Sequence, residues 1–345
     1  MIVKPKFYLT RENILKLIVL SNFSVYLLVQ FGLKSVFSKS AGSDAGAIER
    51  LAEEQEFGGG AYGMSAYLYS IVPDPMRDFL VYLTGLFFLY FCLRKISDIR
   101  YAICLSFLCF APIMMAIGTF QKDLILVWFT LPLSYLVLQS ASNAKSILYV
   151  VTFYAIYATL FRQYYFLILF VFIFIYFLFS AKVHYKILLL ITSIVAFLLV
   201  PIDYLAILQE PRDVANLSRI FVDGRLNART AFMNYTEVND RIDFLLNYLF
   251  SYWMLEFSIF SYFSVREVYL ILNLIFYYYF SILAVFLLPG LGRVFASLVI
   301  SHILVLHLFE PDTGSYLRHI SSTLPYLACI MYRVSSFSRR ENEFG

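Results

Sequence analysis

Charge is scarce in this 345-residue chain, with Asp, Glu, Lys and Arg together making up only 14% of it. Soluble domains carry about 25%, and a chain that is 61% hydrophobic does not bury itself in water as an ordinary globule. Cysteine is scarce as well. Cys92, Cys104, Cys109 and Cys329 all lie in apolar runs, without a CxxC pair or a metal-ligand spacing. That pattern excludes a disulfide framework and leaves small packing residues. The four histidines are scattered, which gives no support to a zinc site. The period-2 alternation of a barrel strand is missing, as are internal repeats and the paired interrupted helices that mark many transporters.

What is present is aromatic and apolar. Thirty-six Phe and 28 Tyr sit mostly inside long uncharged stretches. Only helices and closed barrels satisfy their backbone in lipid, so the expectation is an all-α, polytopic integral membrane protein with about ten transmembrane helices. The expected spans are 14–33, 79–93, 101–119, 124–139, 147–161, 164–180, 187–203, 268–288, 294–309 and 319–333. The first is too long for a signal-peptide core and lacks a cleavage site, so it reads as an uncleaved span. A further aromatic stretch at 244–262, with Trp253 and Glu256, suits an interfacial or re-entrant helix, an eleventh span being the alternative. The whole chain, 1–345, reads as one transmembrane domain with two long outer loops, 34–78 and 204–243.

Ten spans place both termini on one side. That side collects 14 basic residues against four acidic ones, and the other side 13 basic against 19 acidic. The short turns of the first side are almost purely basic, which marks it as cytoplasmic.

Four polar clusters then share the outer face, where ionisable groups are costly unless paired, hydrated or facing a cavity. Gln121-Lys122-Asp123 opens the fourth span; Lys122 reads as an interfacial lysine or as an anion ligand in an outer cavity. Arg162-Gln163-Tyr164-Tyr165 makes a tight turn, and Arg162 suits either lipid phosphate or a bound phosphate or pyrophosphate. The 204–243 loop carries Arg212, Arg219, Arg225, Arg229 and Arg241 among Asp213, Asp223 and Asn residues. Self-paired surface charge is the default there, and an anion-binding lid the functional reading. The last cluster runs Glu310-Pro311-Asp312-Thr313-Gly314-Ser315-Tyr316-Leu317-Arg318-His319. Asp312 is placed to cap the tenth helix, and helical spacing sets Ser315, His319 and Ser322 on one face beside Arg318. His319 there is a structural cap or a general base. Nucleic acid is not an expected partner, because these arginines belong to a net-acidic face.

In its ten or so spans, its large outer loop in the second half, its outer arginines and its segments 121–123 and 310–319, the chain resembles the Wzy-type O-antigen and capsular polysaccharide polymerases. The resemblance implies joining of undecaprenyl-diphosphate-linked oligosaccharides at the periplasmic face of a bacterial inner membrane. It implies no metal and no cofactor, with a flippase and a chain-length regulator as partners. On this sequence Arg162 and the loop arginines would hold diphosphate, joined by Lys122, Asp123, Gln163, Tyr165, Glu310 and Ser315 as binding residues. His319 or Asp312 would activate the acceptor hydroxyl beside Arg318.

One competing expectation is a metal-dependent transferase of the membrane-embedded GT-C kind. Its catalytic acid would be Asp44 in the first outer loop, followed by a membrane-lying helix at 61–72. Another is a lipid-linked sugar flippase or transporter, ranked lower because the ionisable residues gather at one lip and not at mid-membrane.

Overall fold

The computed structural model describes residues 10–33, 42–218, 220–221 and 229–344. Among these the chain is all-helical, with fifteen α-helices and no strand. Five helices are long and apolar enough to cross a membrane. They are α1 (Arg11–Leu28, continued by a π-turn to Gly32), α4 (Asp74–Leu93), α6 (Lys122–Gln139), α12 (Val265–Leu287) and α13 (Leu291–Phe309). Two shorter apolar helices are α5 (Ile99–Met115) and α8 (Tyr165–Ser180), and α7 (Asn143–Leu160) packs between α6 and α8.

The expected span at 187–203 breaks at Pro201, and α9 (Val183–Leu199) turns by 88° into α10 (Ile202–Ser218). Proline removes the helical N–H and crowds the carbonyl four residues back, which accounts for the bend. The start of the expected outer loop at 204 is therefore helix. None of α9 is buried, and Leu188, Ile191, Ile194 and Leu198 are all exposed. An apolar helix that leaves so much of its surface uncovered is stable only where the solvent is itself apolar.

The centre is α13, whose residues are buried nearly all round, including Ala296, Ser297, Ser301 and His302. Its small side chains let α8, α12 and α15 (Leu324–Phe344) approach closely. At the α1–α4 contact, the Tyr26 hydroxyl donates to the Val81 carbonyl at 2.9 Å. A methyl group on Gly85 would overlap the Tyr26 ring. Gly85→Ala is therefore expected to cost about 1–3 kcal/mol, read as a lower melting temperature in detergent; an unchanged melt would mean that this contact yields easily.

Two further elements differ from expectation. The 34–78 segment contains a pair of packed helices, α2 (Gly42–Glu53) and α3 (Gly60–Ile71), closed by Ile48, Ala52 and Ala66. Gly60 starts α3 at φ +86°, a backbone conformation that glycine adopts freely. The expected tenth span is also divided. α14 (Thr313–Ser321) stops, and α15 begins anew at Leu324. Pro325 accounts for the break, since its ring would crowd the Ser321 carbonyl in a continuous helix. Ser322 and Thr323 hydroxyls cover the His319 and Ile320 carbonyls at 2.6 and 2.7 Å. The stripe Ser315–His319–Ser322 thus does not run down one long helix, and His319 belongs to a short helix of its own. The 244–262 stretch forms α11 (Arg241–Glu256) and a 3-10 turn; α11, at 16 residues, is not among the long apolar helices.

Candidate functional site

α6 begins at the Gln121-Lys122-Asp123 segment, and an acidic residue in the first turn suits the positive end of the helix dipole. That local preference puts Asp123 at the end of the bundle, where it is wholly buried. Around it gather Arg162 from the α7–α8 turn, and Arg318 and His319 from α14. Arg318 Nε lies 3.1 Å from Asp123 Oδ2. His319 Nε2 and Arg162 Nη2 lie 3.2 and 3.5 Å from Oδ1. Arg162 Nη1 is also 3.0 Å from His319 Nε2 and donates to the Tyr164 hydroxyl at 2.9 Å.

A second carboxylate enters from far away in the chain. Asp44 on α2 takes Arg318 Nη1 at 2.7 Å and Lys122 Nζ at 3.0 Å on the same oxygen. Tyr62 on α3 donates to its other oxygen at 2.5 Å, while Lys122 donates to the Tyr62 hydroxyl at 2.8 Å and lies over its ring. Burial pushes the Asp44 carboxyl up, but Lys122 and Arg318 hold it far below the ordinary carboxylate range. Glu310, the third carboxylate, follows α13 and contacts His319 Nδ1. Burial again opposes its ionised form, and its contact with His319, joined by Ser315 and Arg162, keeps the carboxyl lowered.

The protonation logic centres on His319. A guanidinium only donates, so the approach of Arg162 requires a lone pair on Nε2 and a proton on Nδ1, which Glu310 accepts. Protonation at Nε2 instead makes a donor for Asp123. One ring nitrogen is thus fixed by a buried carboxylate while the other faces a cluster of charge, which is the arrangement of an oriented general base. Lys122, Arg162 and Arg318 balance Asp44, Asp123 and Glu310 one for one, leaving His319 as the group whose charge can change.

Asp44 and Glu310 both have depressed values, so their contribution to stability is present above the unfolded carboxyl range of about 4 and lost as pH falls below it. Acid titration is expected to leave the melting temperature flat down to about pH 4 and lower it below that. A decline already beginning near pH 6 would contradict this.

The other expected site residues fall elsewhere. Asp312 caps α14, its carboxylate accepting from the Ser315 N–H at 2.9 Å, so the acidic partner of His319 is Glu310 and not Asp312. Asp312→Ala is accordingly expected to cost about 0.5–2 kcal/mol as a lost cap and to alter activity less than Glu310→Gln; the reverse ranking would reject this division. Ser315 is buried and bears on Glu310. Gln163 is exposed, and Tyr165 is buried, packed edge-on against Tyr157 and tilted against Tyr154. Neither joins the cluster.

Arg212, Arg229 and Arg241, the described arginines of the expected lid, find their partners outside the cluster. Arg212 is buried on α10, bonded to Asp213 at 3.3 Å and to Asn234, in a network that continues through Asn216, Gln209 and Asn247. It ties segment 229–239 to α10 and α11. Arg229 faces Glu267 at 3.5 Å, alongside Arg266. Arg212 thus pairs within the segment but buried and not as surface charge, and Arg229 pairs outside it, with Glu267; Arg219 and Arg225 lie outside the described residues.

A buried carboxylate that the pattern of residues did not reveal is Glu256 at the end of α11. It holds His307 Nε2 at 2.9 Å, accepts from Tyr316 at 3.1 Å, and is bonded by Tyr278. Tyr316 belongs to α14, so this network anchors the helix that carries Arg318 and His319. Trp253 and the tyrosines around Glu256 look interfacial in sequence; only the i, i+4 spacing of Asn247, Ser251 and Leu255 marks the inward face.

Together the fold and the cluster define an all-helical membrane protein with a buried site of seven ionisable side chains at one end of its bundle. No family model, curated protein or solved structure matches the chain.

Proposed function

We propose that the chain is a membrane-embedded glycosyltransferase that joins polyprenyl-diphosphate-linked oligosaccharides, as an O-antigen or capsule polymerase of a bacterial inner membrane does. The observation that carries this reading is the buried Glu310–His319 pair set against Asp123 and three cations. In the reaction, an acceptor sugar hydroxyl gives its proton to His319 Nε2, and its oxygen bonds to C1 of the donor sugar. The C1–oxygen bond to the diphosphate breaks, and the electron pair leaves on undecaprenyl diphosphate. Arg162, Arg318 and Lys122 meet that charge, exchanging their carboxylate partners for phosphate oxygens. Glu310 stabilises the imidazolium. About ten spans, both termini in the cytoplasm, a periplasmic site, and a flippase and chain-length regulator as partners complete this proposal.

A knockout examined by lipopolysaccharide or capsule gel tests the function. Loss of polymerase leaves single repeat units and no ladder, whereas an unchanged ladder would reject the reading. The exposed Gln163, replaced by Cys, tests the side: it should react with an impermeant thiol reagent added outside, and reaction only from the cytoplasm would overturn the topology.

A second reading is favoured by Asp44, which sits at the heart of the cluster on a short helix that follows α1 and is paired with α3. A GT-C-type transferase would use it as the catalytic acid or base with a divalent cation. Two measurements separate the readings. Chelation with EDTA leaves the polymerase active and stops the metal-dependent transferase. Asp44→Asn leaves chain joining at a reduced rate in the first case, since only a counter-charge of Lys122 and Arg318 is lost, and abolishes transfer in the second.

A further inference from the structure

α4 and α6 run side by side in parallel, pinned by a hydrogen bond from Trp128 Nε1 to Thr84 Oγ1 at 2.8 Å. Below that bond they separate into a groove of about 430 Å³. Its walls are apolar and aromatic, with Phe87, Tyr90, Leu131 and Tyr135 among them, and Arg94 closes one end. Phe87, Tyr90 and Tyr135 are each about half exposed at its mouth, at 58%, 53% and 47%. Lys122 starts α6 in the ionic cluster, whereas Arg94 caps the C-terminal end of α4, beside Tyr135 and Leu138 near the C-terminal end of α6. The groove is therefore separate from the site described above.

Arg94 is not alone. Lys95 follows it, with Nζ 5.2 Å from the Tyr332 ring, and Arg333 on α15 lies with both of them within electrostatic range of the Cys329 thiol. Among the described residues none of the three has a carboxylate partner. Arg94 rests over the Tyr90 and Phe91 rings at 5.3 and 5.6 Å. Long cationic side chains at a helix end do reach for the interface by themselves. Three converging from two elements, at the foot of an open apolar groove and beside Tyr90, Tyr135 and Tyr332, form a basic pocket of the kind that takes a lipid head group. The apolar part runs from Thr84 to Arg94, about 15 Å at the helical rise, which suits an acyl chain.

We propose that this groove is a binding site for an anionic phospholipid of the leaflet opposite the ionic cluster. One acyl chain lies between α4 and α6, and the phosphate lies on Arg94, Lys95 and Arg333. The occupant's phosphate supplies the negative charge that, among the described residues, the three cations lack.

The full chain, purified in a zwitterionic detergent, tests this by native mass spectrometry and thermal melting with phosphatidylglycerol, phosphatidylcholine or undecaprenyl phosphate added. Phosphatidylglycerol is expected to bind with preference and raise the melting temperature. The double variant Arg94→Gln/Arg333→Gln should weaken that binding about twenty-five-fold, each cation supplying about fivefold, while phosphatidylcholine binding stays as it was. Leu131→Trp, which fills the groove and leaves the cations, should reduce the binding of both lipids. Equal binding of the two phospholipids by the unmodified chain, or a charge preference that survives the double variant, overturns the proposal. So does displacement of phosphatidylglycerol by undecaprenyl phosphate, which would make the groove a substrate path. These readouts are independent of catalysis, so the polymerase reading can fail without touching them.

Discussion

Replacing His319 by alanine is expected to remove the sugar ladder and lower repeat-unit joining by about 10²–10⁴-fold, the share that a positioned general base supplies. The imidazole is the one group in the cluster with a ring nitrogen able to take up a proton, and it stands between two carboxylates, Glu310 and Asp123, that face the resulting imidazolium. Alanine keeps Arg162, Arg318 and Asp123 in place but leaves the acceptor hydroxyl with no base. Glu310→Gln is the finer probe. An amide oxygen still accepts the Nδ1–H and keeps the ring oriented, yet it no longer stabilises the imidazolium. Its activity should fall between those of the unmodified chain and His319→Ala, with the substrate concentration at half-maximal rate little changed. Should His319→Ala keep both its ladder and its rate, proton transfer lies elsewhere and Asp44 becomes the leading acid or base.

The second large effect concerns stability. Asp123→Ala leaves Arg162 and Arg318 facing each other in a buried site with their shared carboxylate gone. Breaking a buried ion pair from one side costs about 3–5 kcal/mol, because the remaining charge is desolvated and unmatched. The variant is expected to melt well below the unmodified chain in detergent and to accumulate poorly in membranes. Adding Arg162→Ala removes one of the stranded charges and should recover part of the loss. Such non-additivity is the signature of a coupled pair. Simple additivity, or an Asp123→Ala melt equal to that of the unmodified chain, would mean that water relieves the site and that the cluster is weaker than its distances imply.

How much of this was legible in the residues differs from place to place. Lys122, Asp123, Arg162, Arg318 and His319 stand out because a charge beside an apolar helix is a visible exception to its surroundings. Asp312 and Glu310 are two residues apart and chemically alike, and nothing local decides which meets His319. The N-cap geometry of α14 takes Asp312, and the turn after α13 delivers Glu310. Arg212 illustrates the opposite error. Its neighbours in sequence suggested a loop, whereas Pro201 only bends the chain, and the next helix buries the guanidinium against Asp213 and Asn234. Asp44 was visible as one acid in an acidic stretch. Its selection over Glu49 or Glu53 depends on α2 packing against α3 so that Tyr62 and Lys122 reach it.

The amino-acid sequence by itself determined that this chain is helical and built for an apolar solvent, and it marked where charge interrupts that plan. Composition and periodicity act residue by residue, so they survive without knowledge of the fold. Only the tertiary structure decided which of those charges meet. An ion pair requires two side chains within about 4 Å, and Asp44, Asp123, Arg162 and Arg318 come from separate helices and turns whose packing no local pattern encodes.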